Sequence, residues 1–308
     1  MKYSISIIYK YIVIIIIFYL IIKNILILNK IKVCLCTVGK KENKYIREFV
    51  AHYKNYGVDK IFLYDNNDFY DESFKDVLSD YIKNNFVKII DYKGIERPQL
   101  SSYKDCYRKH YRKYNWLIFY DIDEFIFLKN YSNIKDFLNQ KHFNKCQRIQ
   151  LNWIFHTDNN LLYYENKTLA ERFPYREMRA RGKKKGGTQG IKSMIRGNIN
   201  IDIEDVHVLS SKVQSCDGFG NYKDIQTIVT NVSDFYYYYI DHYYCKSTEE
   251  FINKILKSDV YHQVDDNLRL LKLEVYFSMN KITKEKLDFI EKETKLNLSK
   301  FRNKIKNK

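Results

Sequence analysis

Residues 116–125 read Trp116-Leu-Ile-Phe-Tyr-Asp-Ile-Asp-Glu-Phe125, an apolar and aromatic run that leads directly into an acidic pair. The run has the length and composition of a buried strand. Residues two apart in an extended chain project to the same side, so Asp121 and Asp123 point one way at the strand's end. A lone buried carboxylate is costly, and a divalent cation answers that cost. Hard oxygen ligands in that position suit Mg²⁺ or Mn²⁺, ions that also bind phosphate oxygens. A solvated loop is the competing reading of an isolated Asp-x-Asp; the strand before it favours the metal.

The segments upstream alternate between strands and helices. Lys32 to Val38 is a short run of strand formers, and Tyr45, Ile46, Phe49, Val50 and Tyr53 fall at helical spacing before the stop at Gly57. Ile61 to Tyr64 predicts a second strand, closed by the turn cluster Asp65-Asn-Asn-Asp68. Phe74, Val77, Leu78, Tyr81 and Ile82 share a helical face, Phe86 to Asp91 predicts a third strand, and a helix over 101–113 leads to the strand at 116. This alternation predicts an α/β fold with a mostly parallel sheet and flanking helices. Ligands in such sheets bind beyond the carboxyl ends of the strands, near the point where strand order reverses.

Beyond residue 145 the pattern changes. Strand-like pieces at Arg148 to Phe155, Val206 to Leu209 and Phe235 to Tyr244 surround a Gly- and Lys-rich loop at 179–190, and the last fifty residues or so read as helical and charged. The amino terminus is different again. Residues 4–28 are almost wholly apolar, interrupted by Lys10 and Lys23, and no small-residue cleavage site follows. The expected organisation is a signal-anchor transmembrane segment at 1–29, an α/β domain at 30–257 and a helical basic tail at 258–308. That arrangement predicts a single-pass membrane protein of type II topology, in an endomembrane of Golgi or ER kind or a bacterial or viral equivalent.

Composition narrows the classes. The chain has 308 residues, and with 45% hydrophobic residues it has enough apolar side chain to build a core, which excludes a disordered protein. Two prolines and ten glycines exclude collagen-like and linker-rich chains. The formal charge of +16 suits anionic partners, but the basic residues are scattered and no nucleic-acid-binding signature accompanies them. Six cysteines in so long a chain do not make a disulfide scaffold. Cys34 and Cys36 share one face of a strand, the other four stand alone, and buried free thiols are the expected state, with a structural disulfide as the alternative. Sequons beginning at Asn130, Asn166, Asn231 and Asn297 arise by chance in an Asn-rich chain.

Asp121-Ile-Asp-Glu-Phe125 resembles the metal-binding signature of glycosyltransferases with the GT-A (Rossmann-like) fold, in particular glycosyltransferase family 92 and its family-2-like relatives. Further segments agree in order: Glu42-Asn43-x-Tyr45-Ile46-x-Glu48, Tyr64-Asp65-Asn66-Asn67, Gln99 with Tyr103 and Cys106, Glu171-Arg172-Phe173, Lys192-Ser193, His207, and His242-Tyr243 with Lys246-Ser247-x-Glu249-Glu250-Phe251. The resemblance runs over about residues 31–257. It implies metal-dependent transfer of a sugar from a nucleotide-diphosphate donor, most readily a UDP-sugar, to a glycan or glycoconjugate acceptor, with inversion. Asp121, Asp123 and His242 would hold Mn²⁺ or Mg²⁺. Thr37, Glu42, Asp65, Asn66, Gln99, Asp121, Lys192 and Lys246 would bind the donor, although Glu42 also suits a helix cap. Asp158 and Glu171 are the candidates for the base that takes the acceptor's proton. The rival reading is a non-catalytic basic protein that binds membranes or nucleic acid through its charge.

Overall fold

The computed structural model describes residues 14–18, 31–177, 189–223, 229–230, 236–256 and 265–306. The first half follows the alternation: β1 (Val33–Gly39), α1 (Asn43–Asn55), β2 (Lys60–Asp65), α2 (Phe74–Lys83), β3 (Val87–Asp91), α3 (Pro98–His110) and β4 (Trp116–Phe119). These four strands are parallel in the order β3-β2-β1-β4, with Leu35 opposite both Ile61 and Ile118. Strand order reverses beside β1, so a crevice opens between the carboxyl ends of β1 and β4. The acidic pair follows β4 into that crevice. Gly39 ends β1 there for steric reasons: a Cβ would lie 2.4 Å from Ile122 and 2.9 Å from Phe74.

The second half departs from the expected sheet. It comprises β5 (Glu124–Leu128), α4 (Ile134–Leu138), β6 (Arg148–His156), α5 (Leu169–Arg172), β7 (Arg176–Glu177), β8 (Gln189–Arg196), β9 (Ser215–Cys216), β10 (Tyr222–Lys223), β11 (Val229–Thr230) and β12 (Tyr238–His242). β8 lies antiparallel between β4 and β6, while β12 runs parallel to β6 and antiparallel to β5. The sheet is therefore mixed rather than mostly parallel. A parallel neighbour needs a long crossover, normally a helix, whereas the described residues between β6 and β8 hold only the one-turn helix α5 and the short β7.

Two layers cover the parallel strands. Val33 and Leu35 pack with Ile46, Phe49 and Phe74 on one face, and Cys34 and Cys36 pack with Tyr103, Tyr107 and Leu209 on the other. That second face corrects the cysteine expectation. Cys36 meets Cys106 of α3 in a disulfide, and Cys146 is bonded to Cys216 of β9; Cys34 and Cys245 are buried and lie outside these two disulfides.

The carboxyl-terminal residues form α6 (Thr248–Leu256), α7 (Asp266–Met279), α8 (Lys284–Thr294) and α9 (Ser299–Lys306). Phe251, Ile252 and Ile255 of α6 share a core with Leu273, Tyr276, Leu287, Ile290 and Phe301. Asp265 and Thr283 cap α7 and α8 with their side-chain oxygens. Among the described residues no helix is long and apolar enough to cross a membrane. The stretch read as an anchor lies outside the described residues except for 14–18, a helical piece in which Ile14, Ile15, Ile16, Ile17 and Phe18 are all at least half exposed. Most of the basic loop at 179–190 also lies outside them.

Candidate active site

The crevice is a cleft of about 430 Å³. Its floor is Asp121, Ile122 and Asp123. Gly39, Lys40 and Glu42 come from the β1–α1 junction, Gln99 from α3, and Trp153, Phe155, His207, His242 and Tyr244 from the second half. Lys254 of α6 and Lys272 and Val275 of α7 close the far side. The carboxyl-terminal helices thus wall the cleft.

The two aspartates are held differently. Asp121 Oδ1 accepts hydrogen bonds from Gln99 Nε2 (2.6 Å) and Tyr103 Oη (3.0 Å), and Oδ2 lies 3.0 Å from Lys192 Nζ. Lys192 is fully buried beneath it, 3.9 Å from Glu124, whose own Oε2 accepts from the Asp121 amide. Burial would raise the Asp121 pKa, but the Lys192 ammonium outweighs it and holds the carboxyl below its ordinary range. Glu124 has burial and the neighbouring Asp121 charge acting together, and its pKa rises well above the usual range.

Asp123 faces two ammonium groups and an imidazole. Lys254 Nζ donates to Oδ2 at 3.0 Å, Lys246 Nζ lies 3.6 Å from the same oxygen, and His242 Nε2 lies 3.4 Å from Oδ1. Burial opposes ionisation here too, but Lys254, Lys246 and then His242 keep Asp123 ionised well below the normal range. His242 is set by β12, where it is paired with Glu124 of β5 and Phe155 of β6. Burial lowers its pKa and so favours the neutral imidazole that can ligate a metal.

Lys246 has a left-handed backbone (φ 52°), sits 4.0 Å over the Tyr45 ring and lies 3.7 Å from Glu42. Its loop is anchored by buried Glu250, which accepts from Tyr45 Oη (2.6 Å), Arg172 (2.6 Å) and the Ser247 amide (3.0 Å). Motif pieces far apart in the chain, including Glu171-Arg172-Phe173, therefore meet behind the cleft.

Of the expected site residues, Glu42, Gln99, Asp121, Asp123 and His242 line the cleft, and Lys246 touches Asp123 from behind. Glu42 stands at the N-cap of α1 but makes no side-chain cap hydrogen bond. Thr37 and Lys192 are fully buried beneath the cleft surface. Asp65 and Asn66 build the turn after β2: Asp65 Oδ1 accepts from the Asn67 amide, and Asn66 Nδ2 donates to the carbonyls of Tyr92 and Ile95. Asp158 is only 2% exposed, 2.5 Å from Lys286 Nζ, and accepts from Tyr276 Oη. Glu171 is exposed and completes the capping box of α5 with Thr168. Neither Asp158 nor Glu171 lines the cleft.

Lys254, Lys272, Trp153 and Tyr244 were not legible as site residues. Lys254 lies three residues beyond Phe251 on a helix whose pattern reports only its buried face, so no signal in the sequence singles it out.

Among the described residues no three His, Cys, Asp or Glu side chains come together as a metal site, so Asp121, Asp123 and His242 do not form the expected ligand triplet. Asp121 is taken up by Lys192. Asp123 and His242 nevertheless offer a carboxylate oxygen and an imidazole nitrogen 3.4 Å apart, and a lysine ammonium lies on the same carboxylate. A hard oxygen, an imidazole and diphosphate oxygens form a donor set that suits Mn²⁺ or Mg²⁺.

An α/β sheet with an acidic pair at its switch point and ammonium groups around it is a place where an anionic ligand can bind. The model of Glycosyltransferase family 92 matches residues 29–271, and the chain belongs to that family. The resemblance read from the sequence is thus borne out at the level of the family. Family 92 proteins of Oryza sativa subsp. japonica and Ricinus communis are each 25% identical over 105 residues, covering 34% of this chain and 18% and 19% of theirs. The matched stretch thus spans less than a fifth of these curated relatives. Solved structures of S. aureus TarS are also similar. The 1–349 form in complex with UDP-GlcNAc has a TM-score of 0.39 and 12% identity, covering 85% of this chain and 79% of that one. A longer TarS structure has a TM-score of 0.35 and 13% identity, covering 86% and 49%.

Proposed function

We propose that the cleft transfers a sugar from a nucleotide-diphosphate donor, a UDP-sugar in the first instance, to a hydroxyl of a glycan or glycoconjugate. The observation that carries this reading is Asp123, an ionised carboxylate beyond the carboxyl ends of the parallel strands, ringed by His242, Lys246 and Lys254 in a family 92 chain. Asp123 and His242 are the residues that would hold Mn²⁺ or Mg²⁺. The ion would supply charge neutralisation for the departing nucleotide diphosphate. Gln99 and Tyr103 orient Asp121, Lys192 keeps it ionised, and Lys246 presents a fixed positive charge. Trp153, Phe155 and Tyr244 offer an apolar wall on which a sugar face can lie.

The inverting outcome rests on the family resemblance, and the anomeric configuration of the product tests it. A screen of nucleotide sugars with released nucleotide as readout tests the activity. Turnover should need Mn²⁺ or Mg²⁺ and fall at least about a hundredfold in Asp123→Asn. Release of nucleotide at an undiminished rate by that variant would reject the assignment.

Membrane anchoring through 1–29 in type II orientation is part of the same reading. Two disulfides, Cys36–Cys106 and Cys146–Cys216, are at home in an oxidising lumen and support it. Resistance of the full chain to carbonate extraction is the expected result; release into the supernatant would count against an anchor.

A further inference from the structure

The two lysines on Asp123 are unlike. Lys246 is 5% exposed, held by a left-handed backbone and stacked over Tyr45, so its charge is fixed. Lys254 extends from α6 across the Tyr244 ring (4.5 Å), is 38% exposed, and donates directly to Asp123 Oδ2 at 3.0 Å. Its flexible four-carbon stem can carry the ammonium elsewhere in the cleft without moving the helix. A divalent ion on Asp123 and His242 would stand within a few ångströms of that ammonium, and adding its two charges to a carboxylate that already faces Lys246 repels the more mobile Lys254.

The geometry points to Lys254 as a stand-in cation: it occupies Asp123 while the donor is absent and leaves when metal and nucleotide diphosphate bind together, its ammonium then turning to the diphosphate. This rests on the metal reading of Asp123 and His242. The consequence is thermodynamic. Metal alone must displace Lys254 from its 3.0 Å contact with Asp123 with no diphosphate to receive it, so it binds weakly. A diphosphate receives the displaced ammonium, so metal and nucleotide each strengthen the other's binding by the same factor. Lys254 thereby keeps a buried carboxylate paired in the empty enzyme, where an unpaired charge would be destabilising. It also delays metal capture until the donor arrives.

The test measures Mn²⁺ binding to the full chain by the EPR signal of free Mn²⁺, with and without UDP, in wild type, Lys254→Gln and Lys254→Arg. The glutamine variant should bind Mn²⁺ without UDP about tenfold or more tightly than wild type, a gain of about 1.4 kcal/mol, and should lose most of the enhancement by UDP. The arginine variant keeps the charge and should behave as wild type. A lysine with a merely structural role would give equal or weaker Mn²⁺ binding in Lys254→Gln, and that result overturns the inference while leaving the metal site standing. Absence of Mn²⁺ binding in every protein, with or without UDP, overturns the metal reading of Asp123 and the inference with it.

Discussion

Asp158 separates two accounts of this protein. From sequence it is a candidate general base; in the structure its carboxylate is buried against Lys286 Nζ at 2.5 Å, with side chains 2% and 3% exposed, and it also accepts from Tyr276 Oη. The pair ties α8 to the loop after β6. Asp158→Asn preserves shape but leaves the Lys286 ammonium buried without its counter-charge, a change that costs about 3–5 kcal/mol. For a chain of this size that corresponds to a fall in Tm of about 5–8 °C. The double variant Asp158→Asn/Lys286→Met removes both charges and should recover most of the loss, because an absent pair is far less harmful than a broken one. Thermal unfolding followed by circular dichroism reads the stability, and nucleotide release at a temperature where all variants are folded reads the activity. The ion-pair account expects low Tm with near-normal turnover per folded molecule. An Asp158→Asn protein that melts with wild type yet transfers no sugar would refute it and return Asp158 to the reaction centre.

Three further outcomes follow from the packing. The Cys36–Cys106 bond closes a separation of 70 residues, so Cys106→Ser should lower stability by about 4 kcal/mol on the chain-entropy account; because α3 also carries Gln99 and Tyr103, UDP affinity measured by calorimetry should fall with it. His52 is driven by burial to a pKa of about 4. The unfolded chain therefore takes up that proton first, and the contribution of His52, up to about 3 kcal/mol, is intact above pH 6.5 and lost as pH falls toward 4. Urea midpoints should drop between pH 7 and 4.5, and His52→Gln should flatten the slope. A Cβ on Gly190 would meet the Trp153 ring at 1.9 Å, so Gly190→Ala should cost about 1–3 kcal/mol by overpacking and weaken donor binding through the displaced cleft wall, read by thermal shift with and without UDP.

Much of the site chemistry was local. The apolar run into Asp121 and Asp123 announces a strand ending in charge, and the early helices announce which face they bury. These signals depend on side chains a few residues apart, whose relative directions the backbone period determines. Gln99, His242 and Lys246 reached the cleft only through the family resemblance, since nothing in their own neighbourhoods points to it.

Sequence alone thus determined the strand–helix alternation of the first half, the place of the acidic pair and the family. Tertiary structure decided the rest. It set the antiparallel β8 between β4 and β6, the pairing of Cys36 with Cys106, the burial of Asp158 on Lys286, and the reach of Lys254 to Asp123 across 131 residues of chain. All four depend on which faces meet at long separation. Periodicity tells a segment which side is apolar, but it carries no information about the partner that will cover that side.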